Sequence, residues 1–181
     1  MALRSTVFKA ALQIADLDRH YYASHALTLA RHPSETDERL MVRLVAFVLF
    51  AHAELEFGRG LSSDDEPALW RKDLTGAVQH WIEVGLPDER ALRKACGRAQ
   101  RVTVVAYGGR AAKVWWDQNQ EKLARLANLA VLNLSHASTQ ALAAAAERSM
   151  DFVCTVQDGH LVWSDTSQSI EVTPEWLKAQ G

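Results

Sequence analysis

Residues 77–107 read AVQHWIEVGLPDERALRKACGRAQRVTVVAY, and this stretch decides the fold. Ala77 to Val84 carries the strand formers Val78, Trp81 and Ile82. Pro87-Asp88 then starts a helix whose apolar positions Leu92, Ala95, Cys96 and Ala99 recur at i, i+3, i+4 and i+7. Val102 to Tyr107 reads as a short buried strand, closed by Gly108-Gly109.

Working outward, Leu69 to Lys72 forms a hairpin with Ala77–Val84 across Thr75-Gly76. Upstream, Thr6 to Ile14 and Tyr21 to Ala30 read as antiparallel strands around Asp16-Leu17-Asp18. His32-Pro33-Ser34 stops the second strand, and Ser34 with Asp37 resembles a capping box. The helix that follows is expected to run to about Glu56. It is apolar on most of its circumference (Leu40, Met41, Leu44, Val45, Phe47, Val48, Leu49) and so should be buried, with Phe57-Gly58-Arg59-Gly60 ending it. Downstream come a helix from Arg110 to about Ala127, a strand at Leu129 to Leu134 and a helix after Ser138. Phe152–Val156 and His160–Trp163 make a closing hairpin across Asp158-Gly159. Alternating helix and strand between terminal hairpins predicts an α/β (α+β) fold, a mixed sheet flanked by helices, as one domain over residues 1–181.

The bulk numbers narrow the function classes. Hydrophobic residues make up 48% of the 181-residue chain and charged residues 23%, enough apolar material for a core without staples. A formal net charge of −2 is unlike a domain that is basic throughout, so any nucleic-acid surface must be local. Cys96 and Cys154 have no partner spacing and read as reduced thiols. Met1 to Phe8 lacks the pattern of a signal peptide, and the longest apolar run, Leu44 to Ala51, is too short to span a bilayer. A cytoplasmic protein without membrane contact is expected.

Several chemistries lack their residues. There is no P-loop, no G-x-G-x-x-G after a strand, no zinc-like Cys/His spacing and no G-x-S-x-G elbow. Gly108-Gly109 fits either an anion-holding turn or a plain tight turn. Acidic residues on apolar elements are more pointed. Glu38 shares a helix face with Met41, Val42, Val45 and Leu49, so it is either a compensated inward carboxylate or a first-turn acid answering the helix dipole. Glu83 shares a strand face with Gln79 and Trp81. A two-residue turn at Thr75-Gly76 sets Ala68 opposite Glu83, whereas a four-residue turn sets Glu66 there. Two facing carboxylates would call for a cation such as magnesium; an exposed acidic strand end is the plainer reading. Arg90, Arg93, Lys94, Arg98 and Arg101 form a basic helix stripe suited to phosphates or simply to water. Tyr107 and Trp115-Trp116 could stack bases or pack a helix on the sheet.

Five blocks carry a family resemblance: Arg31-His32-Pro33-Ser34-Glu35-Thr36, Asp64-Asp65-Glu66-Pro67, Trp81 through Arg90, Arg110-Ala111-Ala112, and Trp115-Trp116. Together they resemble the signature blocks of the YaeQ family. The resemblance implies a variant of the PD-(D/E)xK restriction-endonuclease-like fold and, with it, a magnesium or manganese site. By position Glu38 matches the helix acid, Glu66 or Asp65 the first-strand acid, and Glu83 the glutamate of E-x-K. Glu38, Glu66 and Glu83 would then be catalytic, and Glu38, Asp65, Glu66 and Glu83 would hold the metal that activates water. Gly85 stands at the lysine position, and Ala68 follows the motif proline where an acid is expected. Lys94 is expected to point away from the sheet with Arg90, Arg98 and Arg101, leaving Lys72 as a weak substitute. The implied function is a divalent-metal-dependent, nuclease-like phosphodiesterase. The alternatives are a non-catalytic nucleic-acid- or protein-binding module, or a structural partner with a vestigial acidic pocket. Arg90, Lys94 and Arg98 are the expected nucleic-acid contacts, and the acids are expected to converge at the sheet edge.

Overall fold

Two eleven-residue strands, β1 (Thr6–Asp16) and β2 (Tyr21–Arg31), open a computed structural model that describes residues 4–59 and 65–180. Period-two alternation turns Phe8, Ala10, Leu12 and Ile14 inward from β1. After them come α1 (Asp37–Leu49), β3 (Leu55–Phe57), β4 (Leu69–Lys72), β5 (Val78–Val84), α2 (Glu89–Arg98), β6 (Ala99–Ala106) and α3 (Arg110–Leu123). Then follow β7 (Leu129–Asn133), α4 (His136–Ala144), β8 (Ser149–Gln157), β9 (His160–Ser164), β10 (Ser169–Val172) and β11 (Glu175–Lys178).

The expectation of one mixed sheet is corrected to two mixed sheets flanked by four helices. The terminal hairpins leave the central strands and pair with each other, giving a five-stranded sheet in the order β10-β9-β8-β1-β2. Its seam is parallel, with Leu12 beside Phe152 and Ile14 beside Cys154. The Asp18 carboxylate accepts from the backbone N–H of Asp158 and Gly159 at 2.8 and 2.9 Å, so the two end turns are hooked together. The second sheet has the order β11-β7-β6-β5-β4-β3, with β5, β6 and β7 parallel.

Residues Leu40 to Val48 of α1 are all buried, because the helix lies in the core that both sheets share. Leu12, Phe152 and Trp163 of the first sheet meet Leu44, Phe47 and Val48 of α1, and Leu69, Ile82 and Val105 of the second. The other face of the second sheet, through Trp81, Val102, Val104 and Val131, packs on Leu92 and Ala95 of α2 and on Trp115 and Leu123 of α3.

Both ends of α1 differ from the sequence expectation. Thr36, not Ser34, is the N-cap and accepts from the Arg39 N–H, while Ser34 bonds to His32 Nδ1. The helix stops at Leu49 rather than near Glu56. Arg19, held by the buried Asp16 carboxylate, donates to the Val48 and Ala51 carbonyls there, and Leu55–Phe57 joins β4 as an edge strand. Gly60 and Asp64, read from the sequence above, lie outside the described residues.

Candidate functional site

Asp88 caps α2 by accepting from the Ala91 N–H at 2.7 Å, and Leu92 and Ala95 seat the helix on the sheet. With that face fixed, the row Arg90, Lys94 and Arg98 winds from the side opposite the buried stripe, at Arg90, round to its flank, at Arg98. Arg98 lies only three residues from Ala95, and its guanidinium carbon sits 5.3 Å from the Trp81 ring centroid. Arg98 thus turns back toward the sheet, whereas Lys94 stays exposed, as its place on the helix predicts, and reaches Asp65. Lys94, Arg98 and Arg90 line a groove of about 350 Å³ together with Asp88 and Trp81. The floor extends sideways: Trp70 meets Trp81 edge-on at 5.9 Å, and Lys72 Nζ stands 3.7 Å from the Trp70 ring centroid. Trp81 is only 2% exposed, so it supports the groove and holds Arg98 without offering an open face.

The four acids do not converge. Glu83 accepts from Trp81 Nε1 at 2.9 Å on the α2 side of the sheet. Glu38 sits on α1 across the sheet and accepts from Thr139 Oγ1 at 2.7 Å, which ties α1 to α4. The β4–β5 register pairs Trp70 with Trp81 and Leu69 with Ile82, so one further step sets Ala68, not Glu66, against Glu83. Glu66 instead turns to Arg59, accepting from its backbone N–H at 2.9 Å, with the side-chain Nε at 3.5 Å. Asp65 lies beside the basic flank, 3.5 Å from Lys94 Nζ and 3.8 Å from an Arg98 nitrogen. Among the described residues no group of three or more His, Cys, Asp and Glu is placed to hold a metal ion.

The basic flank has an exposed counter-charge in Asp65. The Asp65 pairs are exposed, so each contributes at most about 1 kcal/mol and can be exchanged for another anion. Arg93 is held differently, by Glu89 one turn away, and is not part of the groove. Gly108-Gly109 is accounted for by packing. Gly109 has φ of 61°, and a Cβ there would stand 3.3 Å from that of His136. Trp115 and Trp116 pack α3 rather than stack outward: Trp115 is buried and donates to the Pro87 carbonyl at 2.7 Å. Burial raises the Tyr107 phenol above its ordinary value, in a region crowded by Arg39, Glu38 and Glu35.

Sequence reading missed Trp70 and Lys72 as groove neighbours, having counted Trp70 only as a hairpin residue and Lys72 as a weak substitute for the missing lysine. Their signal was the two-residue-turn register, which sets Trp70 opposite Trp81. It also missed the buried partnership of Glu35 with Arg43 and Arg39.

The comparisons with known proteins agree with one another. A family model described as YaeQ protein matches residues 1–174. The YaeQ proteins of Salmonella typhi and Escherichia coli (strain K12) are each 46% identical over 172 residues, covering 95% of this chain and 95% of theirs. The crystal structure of YaeQ from Xanthomonas axonopodis pv. citri, 51% identical, superposes with a TM-score of 0.94 over 97% of this chain and 99% of that one. That of Pseudomonas syringae, 38% identical, gives 0.93 over 98% of both. With the family model spanning nearly the whole length and the same two-sheet architecture in its solved relatives, this chain belongs to the YaeQ family.

Proposed function

We propose that the protein is a nucleic-acid-binding module that grips the phosphate backbone along α2. The observation that carries this reading is the row Arg90, Lys94 and Arg98, one side chain per turn, lining a single groove on a chain of net charge −2. Phosphates repeat along a strand, and a row of guanidinium and ammonium groups answers that repeat; Arg in particular can present two N–H groups to one phosphate. Asp65 holds Lys94 and Arg98 in place until a phosphate displaces it. The restriction-endonuclease-like relationship implied by the sequence resemblance favours the same ligand class.

Metal-dependent phosphodiester cleavage is the more demanding reading. It needs Glu38, Asp65 or Glu66, and Glu83 around one ion, whose ligands lie at about 2.1 Å. Glu38 is across the sheet, and Gly85 stands where the family pattern of such enzymes has lysine. Binding requires neither, so binding is the conclusion.

Anisotropy titrations with a labelled 20-nucleotide DNA, single-stranded and duplex, test it. Three phosphate contacts predict a slope of log K against log salt of about −2 for a single strand and about −2.7 for duplex. Changing Arg90→Glu, Lys94→Glu and Arg98→Glu together should weaken binding at low salt and flatten the slope. Equal binding by parent and triple variant, or none by the parent at about 50 mM salt, would refute the proposal.

A further inference from the structure

Beyond the C-terminus of α1, the second sheet is left uncovered on the face that the helix packs elsewhere. Phe50, the residue that ends α1, meets His80 edge-on at 5.1 Å, which marks where the helix stops over β5. Past that point Thr103 and Ala130 form the floor of an open cavity of about 330 Å³, walled by Phe50, Trp176 and Arg101 and lined as well by Ala179 and Gln180. A smaller cavity of about 160 Å³ adjoins it and shares Phe50 and Trp176. Trp176 is 53% exposed, an unusual cost for the largest apolar side chain, and it is half of a pair of aromatic walls.

Charge of both signs stands around this groove: Asp16, Asp18 and Arg19 line the smaller cavity, and Arg101 is the charged residue lining the larger one. Arg101, Arg71 and Arg19 all direct positive potential at His80 beneath the cavity. Arg19 is engaged by Asp16 and by the α1 carbonyls, which also neutralises the negative end of the helix dipole. Among the described residues Arg101 has neither an ion pair nor a side-chain hydrogen bond, although it stands at the mouth of an apolar groove. An unanswered guanidinium beside two aromatic walls is complementary to a flat ring that carries an acid group.

We infer that this groove is a second binding site, for a small planar aromatic carboxylate, with the ring between Phe50 and Trp176 and the acid on Arg101. It lies on the opposite face of the sheet from α2 and is independent of nucleic-acid binding. Calorimetric titration of the full chain with 2-naphthoate tests it, and saturable one-to-one binding is expected. The neutral isostere 2-naphthamide should bind about tenfold more weakly, the loss of one charge-assisted hydrogen-bond pair. Arg101→Gln should weaken 2-naphthoate by a similar factor and erase the difference between the two probes, and Trp176→Ala should weaken both. The amide comparison needs no variant, so it stands even if a substitution harms folding. No saturable binding by the parent, equal binding of acid and amide, or a parent-like Arg101→Gln would overturn the inference.

Discussion

The imidazole of His80 lies between Phe50 and Thr103, whose Oγ1 is 2.8 Å from Nε2. Burial, reinforced by Arg101, Arg71 and Arg19, pushes its pKa down to about 3. In the unfolded chain the ring titrates near 6.5, so between those values only the unfolded state binds the proton. Stability is therefore complete above about pH 6.5 and falls as pH drops, by up to about 1.4 kcal/mol per unit. Urea midpoints at pH 7 and pH 5 measure this. The parent should lose about 2 kcal/mol more than His80→Asn over that interval, while both variants share the contributions of the other histidines. Equal losses would mean that His80 does not stay neutral in the fold. Nothing in the sequence marks this residue: His80 alternates with Gln79 and Trp81 like any strand histidine, and its burial depends on where a helix from elsewhere ends.

At the scale of the element, α1 shows how much a sequence can and cannot say. Its apolar circumference announces burial, and burial is what the two sheets provide. Its N-terminus is capped locally by Thr36, but the carbonyls at its C-terminal end are met from outside, by Arg19 reaching across from the β1–β2 turn, and local pattern cannot contain that contact. Arg43 in the middle of the apolar run is the same lesson. It is 2% exposed and grips both oxygens of Glu35, itself 6% exposed, at 2.8 and 2.9 Å, with a further bond to the Ala30 carbonyl. Burial pulls the guanidinium below its ordinary pKa and Glu35 beside it pushes back. A buried pair of this kind costs most when half of it is removed, because the survivor stays desolvated. Glu35→Gln should thus destabilise the fold by about 3 kcal/mol, and the double change Glu35→Leu with Arg43→Met should cost less than that single change. Chemical denaturation of the parent, the single and the double variant reads the difference; a double variant that loses as much as Glu35→Gln or more would refute this account of the pair. The candidate site follows the same rule. The cationic row on α2 is legible from helical spacing, but its orientation depends on which flank Ala95 turns to the sheet, and the distribution of the acids depends on the β4–β5 register.

On the scale of the whole molecule, the least legible feature is the parallel seam between β1 and β8, which joins residues about 140 positions apart, such as Leu12 and Phe152. Each strand shows its own alternation, yet nothing local tells a terminal hairpin to leave the central sheet and find the other hairpin. The consequence is a first sheet made from both ends of the chain, sharing one core with the second sheet through α1. Such a core should melt as one unit, because neither sheet can shed α1 without exposing the other's apolar face. The tryptophans make this measurable. Trp163 alone belongs to the first sheet; Trp70, Trp81, Trp115, Trp116 and Trp176 lie on elements of the second or on α3. Leu12→Ala, a cavity in the first sheet far from those five, should destabilise by about 3 kcal/mol. If the sheets are cooperative, tryptophan fluorescence and far-ultraviolet circular dichroism shift by the same amount and keep coincident midpoints. A fluorescence transition that stays at the parent midpoint while dichroism moves would divide the molecule into two independently folding sheets. In that event α1 belongs to only one of them, and the groove past its C-terminus would have to survive loss of the other.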